Sequence, residues 1–199
     1  GDQAYIYGSP YTQLRYLRGS IPAGRDKFTI KGSIHDPAYF CARSLTEALQ
    51  AQGVTVEGRP TTARILLSQG LALPPFSRII HTHRSPPLQE IIRQTNHQSI
   101  NLYAEALLKQ VAVAYGRAGT TEAGLDALAQ YWRKRGVPTG SWYLRDGSGL
   151  SPNNALSPYQ LALVLAKMQQ SPHAEAFDAS LPVAGRSGSL RRMLRGTVA

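Results

Sequence analysis

Asn96-His-Gln-Ser-Ile-Asn-Leu-Tyr-Ala-Glu105 is the stretch of this 199-residue chain that decides its fold, and its centre is Ser99-Ile100-Asn101. It joins two segments with helical periodicity, predicted to run from about Pro87 to His97 and from Leu102 to about Tyr115. Serine and asparagine are common at helix starts because their side chains accept hydrogen bonds from free backbone N–H groups. Taken alone, the Ser-x-Asn pattern therefore indicates only a helix cap.

A second polar segment changes this interpretation. Asp146-Gly-Ser-Gly-Leu-Ser-Pro-Asn-Asn154 is rich in turn residues, has glycines on both sides of Ser148, and runs towards a helix whose cap is Ser157 and whose first residue is Pro158. On its own this segment would be interpreted as a loop. A simple connector rarely needs so many polar groups, so the two segments together suggest a site.

The remaining pattern predicts an α+β protein with a boundary after residue 76. A helix is predicted to begin at Asp36-Pro37 and to end at Gly53, and another to run from Thr121 to Arg135. Residues 77–199 are expected to be richer in helix than residues 1–76. Short strands are predicted at Ala4–Tyr7, Gln13–Arg18, Lys27–Lys31, Val54–Glu57, Ser77–Arg84 and Ser141–Arg145.

Composition indicates a globular chain. Hydrophobic residues make up 42% and charged residues 17% of the sequence, and no window approaches the ~18 apolar residues that a membrane span needs. No transmembrane segment is predicted, and residues 1–5 do not resemble a signal peptide, so an exported protein would carry its signal upstream. Cys41 lacks an internal disulfide partner and is predicted to be a buried small hydrophobic residue.

The net charge of +10 raises the possibility of binding nucleic acid, phospholipid or an acidic polymer. The basic residues are scattered, and the dense groups at 133–135 and 191–195 lack interleaved aromatic residues that would stack on bases. A solvated basic surface is therefore expected, with no nucleic acid partner. His81, His83 and His97 have no carboxylate pattern beside them, so neither a metal site nor a cofactor is predicted.

Five strings in fixed order carry a family resemblance. They are Ile30–Ala38, Ser85–Leu88, Asn96–Glu105, Asp146–Leu150 with Asn153 or Asn154 and Ser157, and Leu181–Leu190. From Ile21 to Ala199 the chain resembles the low-molecular-mass penicillin-binding proteins of the D-alanyl-D-alanine carboxypeptidase/endopeptidase family that carry inserted domains. The resemblance implies a partial β-lactamase/transpeptidase-like domain at 77–199, with helices packed on an antiparallel sheet. Residues 1–76 would be the C-terminal part of an inserted α/β domain.

Such enzymes use three motifs: Ser-x-x-Lys, Ser-x-Asn and Lys-Thr-Gly. Ser-x-Asn is present. Ser-x-x-Lys is not, because no serine here is followed by lysine three residues later. Arg186-Ser187-Gly188 matches an earlier Gly-x-x-Gly-Ser-Leu segment of the family rather than the third motif. The nucleophile is therefore expected before Gly1 and the Lys-Thr-Gly motif after Ala199, although a degenerate, binding-only relative is the alternative.

The resemblance also implies a reaction. A serine activated by lysine would attack the D-Ala-D-Ala peptide, and water would then hydrolyse the acyl-enzyme. Ser99 would bond the lysine amine and pass a proton to the leaving nitrogen, Asn101 would donate its amide to the substrate, and Asp146 and Ser148 would support the cleft. Peptidoglycan stem peptides and β-lactam antibiotics are the expected partners, in the periplasm or cell envelope. These residues alone are not expected to catalyse the reaction.

Two other functions stay open at this point. One is a non-catalytic envelope module that binds peptidoglycan through the basic surface. The other is a nucleic-acid binder, which is suggested by charge alone.

Overall fold

The computed structural model describes residues 3–12, 14–24, 26–75, 78–194 and 196. The chain divides into two compact units, Gly1–Ile80 and His81–Ala199. This division lies close to the boundary predicted after residue 76, and Phe76 and Ser77 themselves are outside the described residues.

The first unit contains a hairpin and two helices. The strands β1 (Tyr5–Tyr7) and β2 (Tyr16–Arg18) pair in antiparallel fashion, with Ile6 opposite Leu17. Helix α1 spans Pro37–Ala51 and α2 spans Ala63–Ser68. Both strands fall within predicted ones, and Gln13 of the second prediction lies outside the described residues. Helix α2, which begins behind the cap Thr62, was not predicted.

Helix α1 begins as the sequence predicts because Asp36 caps it. The Asp36 carboxylate accepts a hydrogen bond from the Tyr39 backbone N–H at 3.1 Å, and it forms an ion pair with Arg64. These two contacts, the backbone N–H first, lower the pKa of Asp36. The capping carboxylate and the proline at the first helical turn fix the start of the helix.

Two strand predictions in the first unit are wrong. Residues 27–31 and 54–57 are irregular. At the end of α1, Gly53 adopts a left-handed φ of 77°, and the Val54 N–H donates to the Leu49 carbonyl at 3.0 Å. Val54 is therefore part of the helix termination, which removes its N–H from any strand pairing. Cys41 is exposed, contrary to the prediction of a buried thiol.

The second unit is helical in its described part. Its elements are α3 (Leu88–Gln98), α4 (Asn101–Ala114), α5 (Thr121–Arg133), α6 (Pro158–Gln169), α7 (Ala174–Ser180) and a 3-10 turn at Gly188–Leu190. Helix α6 begins with the predicted Ser157 cap, completed by Gln160 as a reciprocal capping box. Helix α7 was not predicted.

Helices α4 and α5 form the tightest pair. A Cβ on Gly124 would lie 2.5 Å from the Leu108 carbonyl oxygen, so glycine at this position lets the two backbones approach. Leu108 and Ala112 from α4 meet Ala127 and Trp132 from α5 among the buried apolar side chains. This core fixes α4, which carries Asn101 at its first residue.

The two strand predictions after residue 76 are also wrong. Residues 78–84 are irregular, and Ile80 is 94% exposed, which is incompatible with a half-buried strand. Of the strand predicted at Ser141–Arg145, one isolated antiparallel bridge remains, between Tyr143 and Ala155. Further along, the Arg145 N–H donates to the Asn154 side chain at 2.7 Å instead of to a backbone carbonyl of a partner strand. In the described ranges, no helix has both the length and the apolar character needed to cross a bilayer.

Candidate active site

The Ser-x-Asn motif forms a tight turn between α3 and α4. Ser99 follows α3 with φ 53° and ψ 53°, the left-handed conformation, and Ile100 follows with φ −87° and ψ 94° before α4 begins at Asn101. The N–H groups of Ser99 and Ile100 both donate to the Thr95 carbonyl. A non-glycine residue in the left-handed region costs about 1–2 kcal/mol, so the motif contains local backbone strain.

The side chains of Ser99 and Asn101 are exposed. Neither makes a side-chain hydrogen bond with another described residue, and α4 has no side-chain cap, because the capping position is occupied by Ile100. The helix-cap interpretation of the motif is therefore wrong. Backbone hydrogen bonds hold the turn, and both polar side chains remain available to a ligand.

Helix α7 holds the last turn of α3 from one side. The Asn96 side-chain amide donates to Ser180 Oγ at 2.9 Å, and that hydroxyl donates to the Phe177 carbonyl at 2.6 Å. Ser180 is buried. This chain of hydrogen bonds anchors α3 three residues before Ser99.

The Leu181–Leu190 string lies against the same turn. Gly188 adopts a φ of 56°, and a Cβ there would lie 2.8 Å from the His97 carbonyl oxygen and 3.0 Å from the His97 Cα. A backbone hydrogen bond within the string joins the Gly185 N–H to the Leu190 carbonyl at 3.1 Å. The Leu181–Leu190 string therefore lies close to the α3 backbone at His97, two residues before Ser99, a proximity that sequence spacing did not reveal.

The Asp146–Asn154 loop is organised by its own first residue. The Asp146 carboxylate accepts hydrogen bonds from Gly149 N–H at 2.8 Å, Ser151 N–H at 2.6 Å and the Asn154 side-chain amide at 2.9 Å. The Asn154 oxygen in turn accepts from the Arg145 N–H at 2.7 Å. The Asn154 amide, as the largest cause, and the backbone N–H groups lower the pKa of Asp146. The described hydrogen bonds of the Asp146 carboxylate are all made within its own loop. That Asp146 supports a cleft stays a prediction.

Ser148 connects this loop to α4. Its hydroxyl donates to Glu105 Oε1 at 2.7 Å, and the same oxygen accepts the N–H groups of Ser148 at 3.0 Å and of Gly147 at 3.1 Å. Glu105 lies four residues after Asn101, on the same face of α4. Glu105 belongs to the Asn96–Glu105 string, but no role was predicted for it. The sequence signal that could have identified it is its helical spacing of four residues from Asn101.

These contacts bring two separated segments, residues 146–154 and 174–190, against α3 and α4, but they do not complete a catalytic centre. The sequence holds no Ser-x-x-Lys pair, so the groups offered here are an exposed hydroxyl and an exposed amide. Among the described residues, no three His, Cys, Asp or Glu side chains are grouped so that they could hold a metal ion.

The fold is that of the penicillin-binding proteins. Two crystal structures of penicillin binding protein 4 from Haemophilus influenzae each cover 96% of this chain at 21% identity. The TM-scores are 0.77 for one structure, of which 40% is covered, and 0.72 for the structure complexed with a β-lactam, of which 42% is covered. This likeness confirms the predicted fold class, a partial transpeptidase-like fold.

The family follows from the sequence matches. Residues 10–199 match the D-Ala-D-Ala carboxypeptidase 3 (S13) family, and the chain belongs to that family. It is 33% identical over 192 residues to a D-alanyl-D-alanine carboxypeptidase of an Actinomadura species, covering 92% of this chain and 34% of the relative. It is 25% identical over 201 residues to the D-alanyl-D-alanine carboxypeptidase DacB of H. influenzae, covering 94% and 40%. The resemblance inferred from the sequence is confirmed, and the chain spans between a third and two fifths of these relatives.

Proposed function

We propose that this chain is the part of a serine-type D-Ala-D-Ala carboxypeptidase or endopeptidase that supplies the Ser-x-Asn motif. One observation carries the proposal: Ser99 and Asn101 are exposed in a strained turn and make no side-chain hydrogen bond to another described residue. Strained polar residues without a structural role are typical of functional sites. The names of the relatives supply the reaction, and the substrates would be peptidoglycan stem peptides.

The reaction is acyl transfer. The serine of a Ser-x-x-Lys motif, supplied from outside this chain, gives its proton to the lysine amine as its oxygen adds to the carbonyl between two D-alanines. The C–N bond breaks, and the leaving nitrogen takes a proton that Ser99 relays from the lysine amine. Asn101 donates its side-chain amide to a carbonyl of the bound peptide. Water then hydrolyses the ester, and a β-lactam would form the same ester and remain attached.

The domain assignment and location belong to the same proposal. Residues 77–199 would be part of the penicillin-binding domain and residues 1–76 the C-terminal part of an inserted domain, consistent with the two compact units. The protein would work in the periplasm or cell envelope, where peptidoglycan lies.

The second candidate is a non-catalytic envelope module that binds peptidoglycan. It is favoured by the net charge of +10. Such a module would bind wall fragments with an affinity that falls steeply with salt, and would not react with penicillin.

The test is labelling of the protein encoded by the complete reading frame with a fluorescent penicillin. The unmodified protein is expected to label. Ser99→Ala is expected to reduce the acylation rate about 10²- to 10⁴-fold, because it removes the proton relay, and Asn101→Ala about two- to tenfold, because it removes one hydrogen bond to the substrate. Gln98→Ala is the matched control, since Gln98 is exposed next to the motif. Full rates in both motif variants would remove the site assignment. Wall binding that is weakened by salt, without labelling, would favour the binding module.

A further inference from the structure

We propose that Glu105 is a positioning residue of this site: its carboxylate holds the Asp146–Asn154 loop against the helix that carries Asn101. The inference rests on the proposed function and adds a residue to it. Glu105 would not touch the substrate. It would act through the loop, by fixing the loop beside the face of α4 that begins with Asn101.

The Glu105 carboxylate makes its described hydrogen bonds to the loop. Glu105 is half-buried, and its Oε1 accepts the three hydrogen bonds from Gly147 and Ser148. In the described part of the chain Glu105 takes part in no ion pair. Its charge is therefore balanced by the N–H dipoles and the hydroxyl of the loop, and charge-assisted hydrogen bonds of this kind are stronger than neutral ones.

Hydrogen bonds inside the loop fix its shape, so its position on α4 depends on contacts with residues outside it. The Asp146 carboxylate and Asn154 already connect the two ends of the loop. Between the described residues of the loop and α4, the side-chain hydrogen bonds are those to Glu105. A rigid loop with a single side-chain anchor is displaced as a whole when that anchor is removed.

The loop also lies directly on the helix backbone. A Cβ on Gly147 would lie 2.8 Å from the Ala104 carbonyl oxygen and 3.0 Å from Leu108 Cβ. Asn101 and Glu105 are four residues apart, which places their Cβ atoms about 6 Å apart on one face of α4. The anchor therefore fixes the loop within one helical turn of the motif. A misplacement of about 1 Å at such a site reduces the rate up to about 10²-fold.

The test uses the protein from the complete reading frame and two substitutions of Glu105. Glu105→Ala removes the acceptor. Glu105→Gln keeps the Oε1 acceptor and removes the charge, and its new NH₂ group would occupy the Oε2 position, for which no hydrogen bond is found among the described residues. Glu122→Ala, at an exposed position in the first turn of α5, is the matched control. The acylation rate constant, the fraction of protein labelled, and kcat and KM on a D-Ala-D-Ala peptide are measured.

Glu105→Ala is expected to lower the acylation rate constant and kcat by about 10- to 100-fold, while the fraction labelled at long times stays near that of the unmodified protein. Glu105→Gln is expected to stay within about fivefold of the unmodified protein, because the acceptor is retained. A residue needed only for folding would lower the labelled fraction without changing the rate constant of the folded molecules, and that result would overturn the proposal.

Two further outcomes also decide it. Equal loss in Glu105→Ala and Glu105→Gln would show that the charge acts rather than the acceptor, and would overturn the positioning role. If Glu105→Ala is insoluble, Ser148→Ala removes only the 2.7 Å contact; a loss of about three- to tenfold supports the proposal and an unchanged rate overturns it. Failure of the proposed function is a separate result, in which the unmodified protein itself does not label.

Discussion

The Ser99–Asn101 turn and the Asp146–Asn154 loop both carry polar side chains, but they use them in opposite ways. In the turn, the backbone makes the hydrogen bonds and the two polar side chains have no described hydrogen-bond partner. In the loop, the Asp146, Ser148 and Asn154 side chains are all engaged. The loop side chains therefore stabilise the structure, whereas the motif side chains are available for chemistry. Both groups of residues were predicted as site residues from the same family resemblance.

This contrast predicts that substitutions in the loop and its neighbours change stability, whereas substitutions of the motif side chains change activity. The same urea unfolding and penicillin-labelling measurements, made on the protein from the complete reading frame, test both halves of the contrast.

Gly188→Ala is expected to give the largest loss of stability. The new methyl group would meet the His97 carbonyl oxygen at 2.8 Å, at a backbone φ of 56°. Overpacking and left-handed strain together amount to about 2–4 kcal/mol of unfolding free energy. Gly140→Ala is the control, because nothing lies within 4 Å of a Cβ at Gly140. Equal stability of the two variants would contradict the packing described for α3.

Gly147→Ala is expected to cost about 1–3 kcal/mol, since its methyl group would meet the Ala104 carbonyl oxygen at 2.8 Å. The loop would have to move off α4, so labelling should also slow. Urea unfolding and the labelling rate measure the two effects. A variant as stable and as fast as Gly140→Ala would show that the loop is not seated on α4.

Asn154→Ala is expected to cost about 1–2 kcal/mol, because it removes the hydrogen bonds to Asp146 and from the Arg145 N–H. Asn153→Ala should be neutral, since the Asn153 side chain is exposed and makes no side-chain hydrogen bond with another described residue. The sequence left open which asparagine matters. Equal unfolding free energies for the two variants would leave that choice unresolved and contradict the loop network.

Asp146→Asn gives the smallest effect, which depends on pH. The folded pKa of Asp146 is below its ordinary value of 3.8, so the ionised carboxylate stabilises the fold above that pH. This stabilisation is lost as the pH falls through the lower folded value. The difference in unfolding midpoint between the unmodified protein and Asp146→Asn should be constant above about pH 5 and shrink below pH 4. A difference that is independent of pH would contradict the network.

The helices that the sequence predicted, α1 in the first unit and α3 to α6 in the second, could be predicted because their signals are local. Asp36 and Ser157 each lie beside the proline and the N–H groups that they cap, and the apolar spacing of α5 is contained within the helix. The family strings likewise identified the correct fold. These predictions needed no knowledge of distant residues.

The features that could not be predicted depend on contacts between residues that are far apart in the sequence. The alternation at residues 78–84 resembles a strand, but the described structure places no strand beside it. The Glu105 contact joins residues 42 and 43 positions apart, and the Asn96–Ser180 contact joins residues 84 positions apart. A glycine such as Gly188 gives no sign in the sequence of which backbone it must approach. Only the folded chain shows these pairings.

Substitution of Ser99 by glycine separates strain from chemistry most directly. Glycine adopts the left-handed conformation freely and has no hydroxyl. We expect Ser99→Gly to unfold with the same free energy as the unmodified protein or up to about 1 kcal/mol more, while penicillin labelling slows by about 10²- to 10⁴-fold. Labelling at the unmodified rate would contradict the role of the hydroxyl. A clear loss of stability would show that Ser99 serves the fold.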